Sequence, residues 1–299
     1  MLILDESRVR QLLRFEALIP AMERALVDFS AGRVIQPVRT VIAPTADALF
    51  AIMPAVYGDV LGAKLVTVYP DNARLGLPTH LASILLFRVS TGEPIAVVDG
   101  RLITEMRTAA VSAVATNILA RRDARILAVL GTGVQARAHV QALRLVRRFD
   151  DVRVWGRTPD HVRLFANEMN ARPMSAEDAV RGADVVVTVT GAGEPILRGS
   201  WLTDGTLVNA VGAVGAARRE LDADAMRGAV VVDSRAAAMR ESGDVLLAQA
   251  TISAELGEIL GGLRPRPGGR ITVFKSLGLA VEDLATARLV YEAAVGHAP

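Results

Sequence analysis

Cysteine is absent from this chain, which excludes disulfides and thiol catalysis but does not fix a compartment. Long apolar runs are absent too. None reaches the ~18 residues that a membrane helix needs, so no membrane partner is expected. The opening MLILDESRVR lacks the basic start and long apolar core of a signal peptide, and a soluble, cytoplasmic protein is expected. Blocks of like charge are also missing. The formal net charge is +2 over 299 residues, with the charges interspersed, which gives nucleic-acid binding little support. The four histidines, His80, His139, His161 and His297, form no H-x-x-x-H pair, so no metal site is expected. There is no G-x-S-x-G elbow, and the Gly131-Thr132-Gly133 turn is not followed by Lys-Ser/Thr. The serine-hydrolase and NTPase motifs are thereby removed. No internal repeat or low-complexity tract occurs. With 51% hydrophobic residues, the chain is globular and long enough for two cored domains.

Lysine is scarce in an informative way. Of the 34 lysines and arginines, only Lys64 and Lys275 are lysine. Arginine cannot replace lysine where a compact ammonium with a tunable pKa is needed. Both lysines are therefore candidates for a site, against the plain alternative that two simply remained.

What is present starts with Ile126–Ala136, ILAVLGTGVQA. Ile126–Leu130 is fully apolar, as in a strand buried on both faces of a parallel sheet. Gly131, Gly133 and Ala136 then form G-x-G-x-x-A, the dinucleotide fingerprint. Gly131 permits a tight turn, Gly133 lets the backbone approach a pyrophosphate, and Ala136 packs helix on strand. Strands are expected at Ile126–Leu130, Val152–Trp155, Asp184–Thr190, Leu207–Ala210, Val230–Asp233 and Thr272–Phe274. Helices are expected at Gln135–Arg148, Asp160–Glu168 and Ser175–Arg181, with a terminal one within Leu277–Val295. This rhythm predicts a doubly wound parallel sheet of Rossmann type.

Ahead of it the period differs. A helical region follows Asp5, with an expected break near Pro20. Short β-rich runs follow at Val34–Ile42, Leu49–Met53, Ala63–Val68, Ser83–Phe87 and Ile95–Val98, separated by turn signals. They predict a mainly antiparallel sheet in an α+β domain. A long helix is expected from about Thr104 to Ala120, capped by Thr104.

The end of the second Rossmann strand selects the nucleotide. NAD-binding domains place Asp or Glu there for the ribose 2′-hydroxyl. Here it reads Trp155-Gly156-Arg157-Thr158. Arg157 and the Thr158 hydroxyl suit a 2′-phosphate, so NADPH is favoured over NADH, unless Arg157 is only a solvated loop residue. Thr190 and Val211 lie at the carboxyl ends of later strands, where ligands bind in this fold; the adjoining Gly191 and Gly212 fit plain turns equally well. In the antiparallel part, Arg39 and Lys64 interrupt strand-like runs. Lys64 shares a face with Val66 and Val68, so its ammonium needs a partner or a shifted pKa. Arg107 is expected near a helix start, where the dipole disfavours a cation. Three cations against local preference suggest a site for a carboxylate.

These stretches, taken in order, resemble the ornithine cyclodeaminase/μ-crystallin family, and look most similar to its μ-crystallin, or ketimine reductase, branch. The resemblance is carried by Gln36-Pro37-Val38-Arg39-Thr40, Met53-Pro54-Ala55, Lys64-Leu65-Val66-Thr67, Arg107-Thr108-Ala109-Ala110 and the Gly131–Ala136 loop. It continues in Asn209-Ala210-Val211-Gly212-Ala213, Arg219-Glu220-Leu221-Asp222, Glu241-Ser242-Gly243-Asp244 and Phe274-Lys275-Ser276-Leu277-Gly278. It implies a substrate and dimerisation domain over residues 1–120, a Rossmann domain over 121–278, and a C-terminal helix, about 279–299, returning to the first. It implies an oxidoreductase and homodimer that reduces cyclic imino acids with NADPH, such as 1-pyrroline-2-carboxylate or 1-piperideine-2-carboxylate to proline or pipecolate. Lys64 and Arg107 would be catalytic, with Arg39, Met53, Thr79 and His80 on the substrate. The cofactor set would be Gly131, Gly133, Val134, Gln135, Arg157, Thr158, Thr190, Val211 and Leu277. The family places the Lys275 motif near the cofactor, while a lysine that closes the fold would read the same.

Two departures stand out. Ornithine cyclodeaminases of this family carry glutamate where this chain has Ala51 and aspartate where it has Val214. Cyclising ornithine needs a base to accept protons, which valine cannot do. An amino-acid dehydrogenase such as alanine dehydrogenase, and a non-catalytic ligand-binding protein, are the remaining alternatives.

Overall fold

Side chains in the first third alternate between buried and accessible, and a six-stranded sheet follows from that alternation. The computed structural model describes residues 1–296; His297 lies outside the described residues. The chain opens with β1 (Leu2–Leu4), α1 (Glu6–Leu12) and α2 (Phe15–Ser30), then β2 (Thr40–Ile42), β3 (Leu49–Tyr57), β4 (Val60–Val68), β5 (His80–Arg88), β6 (Pro94–Asp99) and α3 (Arg101–Leu119). The sheet order is β1-β6-β5-β4-β3-β2. All its pairings are antiparallel except β1 on β6. In register, Met53, Lys64, Ile84 and Val98 lie side by side. Directly opposed residues share a sheet face, so Lys64 belongs to the buried row.

Several boundaries differ from expectation for local reasons. The helical region breaks at Leu13–Arg14, and α2 runs through Pro20. Its buried stripe of Leu18, Met22, Ala25 and Leu26 offsets the one backbone donor that proline removes. Within Val34–Ile42 only the last three residues form a strand, because Pro37 cannot donate to a ladder; Ile35 makes a lone bridge to Val56. Helix α3 starts at Arg101, three residues before the expected cap. Asp99 accepts from the Arg101 amide, and the Thr104 hydroxyl donates back to the Gly100 carbonyl.

The βαβ rhythm begins after α3. It comprises β7 (Ile126–Leu130), α4 (Val134–Val146), β8 (Asp151–Trp155), α5 (Pro159–Met169), β9 (Arg172–Pro173), α6 (Ala176–Val180), β10 (Val185–Thr188) and β11 (Thr206–Ala210). It continues with β12 (Ala229–Val232), α7 (Arg235–Glu241), α8 (Gly243–Leu247), β13 (Ile252–Glu255), α9 (Leu256–Leu260) and β14 (Ile271–Lys275). The order β13-β12-β14-β11-β10-β7-β8-β9 is parallel throughout. Strand order reverses between β7 and β10, which opens a crevice at their carboxyl ends. The edge strands β9 and β13 had no sequence signal. β10 is shorter than Asp184–Thr190, although the Asp184 and Val189 amides still donate to Ile126 and Leu130 of β7. Asp184 accepts from the amides of Arg125 and Ile126, while Thr190 bonds Glu220.

The last helix, α10 (Ala280–Ala294), packs on α2, β3, β4 and β5. The chain divides into two compact units: Met1–Arg107 with the segment from Leu279 onward, and Thr108–Gly278. That division falls inside α3, ahead of residue 120.

Candidate functional site

In the first unit, the strand register sets Lys64 on the covered sheet face, where it is 1% exposed. Its Nζ lies 2.7 Å from Asp283 Oδ2. Arg107, on α3, reaches the same helix. Its Nε lies 3.0 Å from Asp283 Oδ1, and its Nη1 lies 2.7 Å from Glu282 Oε2. All four groups are buried. The sequence reading found two of these cations and neither carboxylate. Arg107 lies in the second turn of α3, and it has acids of its own, so the dipole argument did not describe its situation. The signal available was an adjacent acid pair within the otherwise uncharged stretch 277–287; charges buried at one place need partners.

The electrostatics follow from the burial. Desolvation, together with Arg107 and Arg39 and against Asp283, which holds it up, brings the Lys64 ammonium down to about 8. Burial works to raise Asp283, but Arg107 and Lys64 overcome it and hold the carboxyl below its ordinary value. Both acids also occupy the first turn of α10, where the helix dipole favours negative charge. His80 opposes Val68 across β4 and β5, on the face that carries Lys64. Burial first, and then Lys64 and Arg107, lower it to about 4, so it is neutral at physiological pH. Arg39 sets its Nη1 4.0 Å from Met53 Sδ. Arg39, Met53, Lys64, His80 and Arg107 thus belong to one neighbourhood. Thr79 does not join it: it is exposed ahead of β5, with no side-chain hydrogen bond to the cluster among the described residues.

In the second unit, a cavity of about 260 Å³ opens at the crevice between β7 and β10. It is lined by Gly131, Thr132 and Gly133, by Trp155–Thr158 with His161, and by Val189–Ala192. Gly131 adopts φ +134°, and a Cβ there would stand 2.8 Å from the Val189 carbonyl oxygen. At Gly133 a Cβ would meet nothing within 4 Å, and no side chain caps α4 at that residue. This bare backbone at the start of a 13-residue helix is the geometry that receives a phosphate. Val134 and Gln135 begin α4. Arg157 and Thr158 are exposed on the rim, and Arg157 makes no ion pair with a described residue. No acidic side chain lines the cavity.

Val211 and Leu277 are not on the lining. Both are buried, and their amides donate to Thr188 O and Asp233 Oδ2. Thr190 is on the lining and is fixed by Glu220. The two Glu220 carboxylate oxygens accept from the Thr188 and Thr190 hydroxyls and from the Thr190 and Gly212 amides. Burial raises the Glu220 pKa, opposed by Lys275 and by these bonds. Asp244 accepts from the Glu220 and Leu221 amides and lies 2.9 Å from Lys275 Nζ, which also donates to the Ala213 carbonyl. Lys275 therefore closes a scaffold under the strand ends. Glu220, Asp233 and Asp244 were missed as working residues, although two of them lie in stretches that carried the family resemblance. Ala51 is buried in β3, and Val214 is exposed after β11.

The sequence model of the ornithine cyclodeaminase/mu-crystallin family matches residues 1–298. Ketimine reductase mu-crystallin of Mus musculus is 47% identical over 301 residues, covering 97% of this chain and 96% of the mouse protein. A delta(1)-pyrroline-2-carboxylate reductase of Bacillus cereus is 37% identical, covering 99% and 97%. Among solved structures, Thermococcus litoralis delta(1)-pyrroline-2-carboxylate reductase, in complex with NADH and L-proline, aligns with a TM-score of 0.94. Its identity is 38%, over 99% of this chain and 98% of that one.

Proposed function

The chain belongs to the ornithine cyclodeaminase/mu-crystallin family, and from that premise we propose that it is an NADPH-dependent reductase of cyclic imino acids. It converts 1-pyrroline-2-carboxylate and 1-piperideine-2-carboxylate to proline and pipecolate, as a cytoplasmic homodimer. The observation that carries this reading is Lys64: a buried ammonium brought down to about 8 beside an arginine held by two acids. An acid that titrates near the working pH transfers protons efficiently.

Arg107 and Arg39 bind the substrate carboxylate, for which the guanidinium fork is suited. Lys64 donates a proton to the imine nitrogen. This builds positive character on the adjacent carbon, the position that accepts a hydride. His80, neutral, packs or hydrogen-bonds on the substrate. Bound reduced nicotinamide supplies the hydride. Gly131, Gly133 and the first turn of α4 hold its pyrophosphate. Arg157 and Thr158 hold the 2′-phosphate, a reading supported by the absence of any acid on the cavity lining. The dimer is supported by the uncovered face of the first sheet, where Phe50, Ile52, Leu61, Leu65, Leu81 and Leu85 remain at least partly accessible.

Mixing purified protein with NADPH and each cyclic imine, and following the absorbance of the reduced cofactor, tests the activity. Oxidation with either imine is expected. Oxidation only with pyruvate plus ammonia would replace the reading by an amino-acid dehydrogenase, and cofactor binding without turnover by a ligand-binding protein. Lys64→Arg keeps the charge but not the tunable proton, so unchanged turnover would remove the role given to Lys64.

A further inference from the structure

Lys64 has three N–H donors as an ammonium. Among the described residues its ion-pair partner is Asp283 alone. Asp283 is itself divided. One oxygen faces Lys64 Nζ at 2.7 Å, and the other accepts from Arg107 Nε at 3.0 Å. Glu282, next to it in the chain, contacts Arg107 through Nη1 at 2.7 Å. The two acids are equally buried on the same helix turn, yet only one of them touches the lysine.

We propose that Asp283 is the positioning residue of the reaction: it holds Lys64 as an aimed ammonium for proton donation, while Glu282 serves only to fix Arg107. This rests on the imine-reductase reading above. Asp283 does not touch the substrate in this scheme. It acts through Lys64, by keeping its proton in place and its Nζ at one point of the buried face. The groups that face Lys64 are Asp283 from α10, Arg107 from α3, His80 from β5 and Arg39 ahead of β2. His80 is neutral above about pH 4, so between pH 6 and 10, roughly the span over which lysine titrates here, the balance at Lys64 is set by Asp283 against two arginines. Asp283 is the one of these groups that favours the charged lysine, and the amide in its place removes that support.

The chain has two lysines, so protein carrying ¹⁵Nζ-labelled lysine gives two side-chain signals, and Lys275→Met assigns them. No substrate or turnover is required. Asp283→Asn is expected to move the Lys64 midpoint down by roughly 1–3 on the pH scale, and Glu282→Gln to move it far less. In the enzyme assay the alkaline limb of kcat/KM should move with the NMR midpoint in each variant. Equal movement in the two variants would make Asp283 an anonymous negative charge and overturn the proposal. If Asp283→Asn does not fold, Arg107→Gln serves instead. It removes a like charge and leaves Asp283 to Lys64 alone, so the midpoint should rise; a midpoint that stays or falls overturns the proposal. If the midpoints behave as expected while wild-type protein turns over neither cyclic imine, the electrostatic role of Asp283 stands and the substrate assignment fails.

Discussion

Lys64 and Lys275 are both buried, at 1% and 0% exposure, and each meets one aspartate within 3 Å. Their surroundings nevertheless differ in kind. Lys275 donates to the Ala213 carbonyl, and its Asp244 is tied by the Glu220 and Leu221 amides. Every group it touches is backbone or is fixed to backbone, and its ammonium joins three chain segments. Lys64 has no such backbone bond among the described residues. Its aspartate is shared with Arg107, and both Arg107 and Arg39 act on its charge. A buried lysine is structural when its partners are the fold itself, and reactive when they are other side chains whose charge it must balance.

This contrast is open to direct tests. Lys64→Met should lower kcat/KM for the imine by roughly 10²- to 10⁴-fold, the range of general-acid contributions, while NADPH binding measured by fluorescence is retained. Lys275→Met should act the other way. Leaving Asp244 buried without its cation costs about 3–5 kcal/mol, seen as a lower denaturation midpoint, with the folded fraction still turning over. Loss of turnover at unchanged stability would move Lys275 into the chemistry and dissolve the contrast.

A smaller effect comes from pH. Lys64 donates only when protonated, and its value of about 8 keeps the donor form in the majority below that pH. The rate profile should be flat on the acid side of 8 and fall about tenfold per pH unit above it; an alkaline limb at 10 or higher would contradict the assignment. Smallest in its reach is Arg157→Ser. Losing a charged hydrogen bond to the 2′-phosphate should weaken NADPH by roughly 10- to 100-fold, with NADH unchanged. Equal rates of the wild-type enzyme with the two cofactors would remove the phosphate argument.

The sequence was most legible where structure is local. The Gly131–Ala136 loop, strand β7 and the acid-free end of β8 could be read residue by residue, because turn, strand period and fingerprint are set by neighbours in the chain. Lys64 was legible as a charge on an apolar face. What it faces was not, because Asp283 comes from an element whose first half is buried on every side and so has no amphipathic stripe to read. Glu220 was equally hidden. Its oxygens collect groups from the ends of β10 and β11, a convergence that only the parallel sheet creates. The uninterrupted α2 shows tertiary burial overriding a proline signal, while α3 starts early because Asp99 accepts from the Arg101 amide ahead of Thr104.

The path of the chain through these two regions also orders their formation. Residues 108–278 form one uninterrupted stretch, and Lys275 finds Ala213, Glu220 and Asp244 within it. The cation cluster is assembled differently, since Arg107 waits for an aspartate 176 positions later. During synthesis, domains fold as their residues emerge. The dinucleotide fold can therefore close first, and the cluster around Lys64 is completed last. A nascent chain that stops short of Glu282 holds Lys64 and Arg107 without the two carboxylates that receive them, and its first unit cannot bury those charges until α10 arrives.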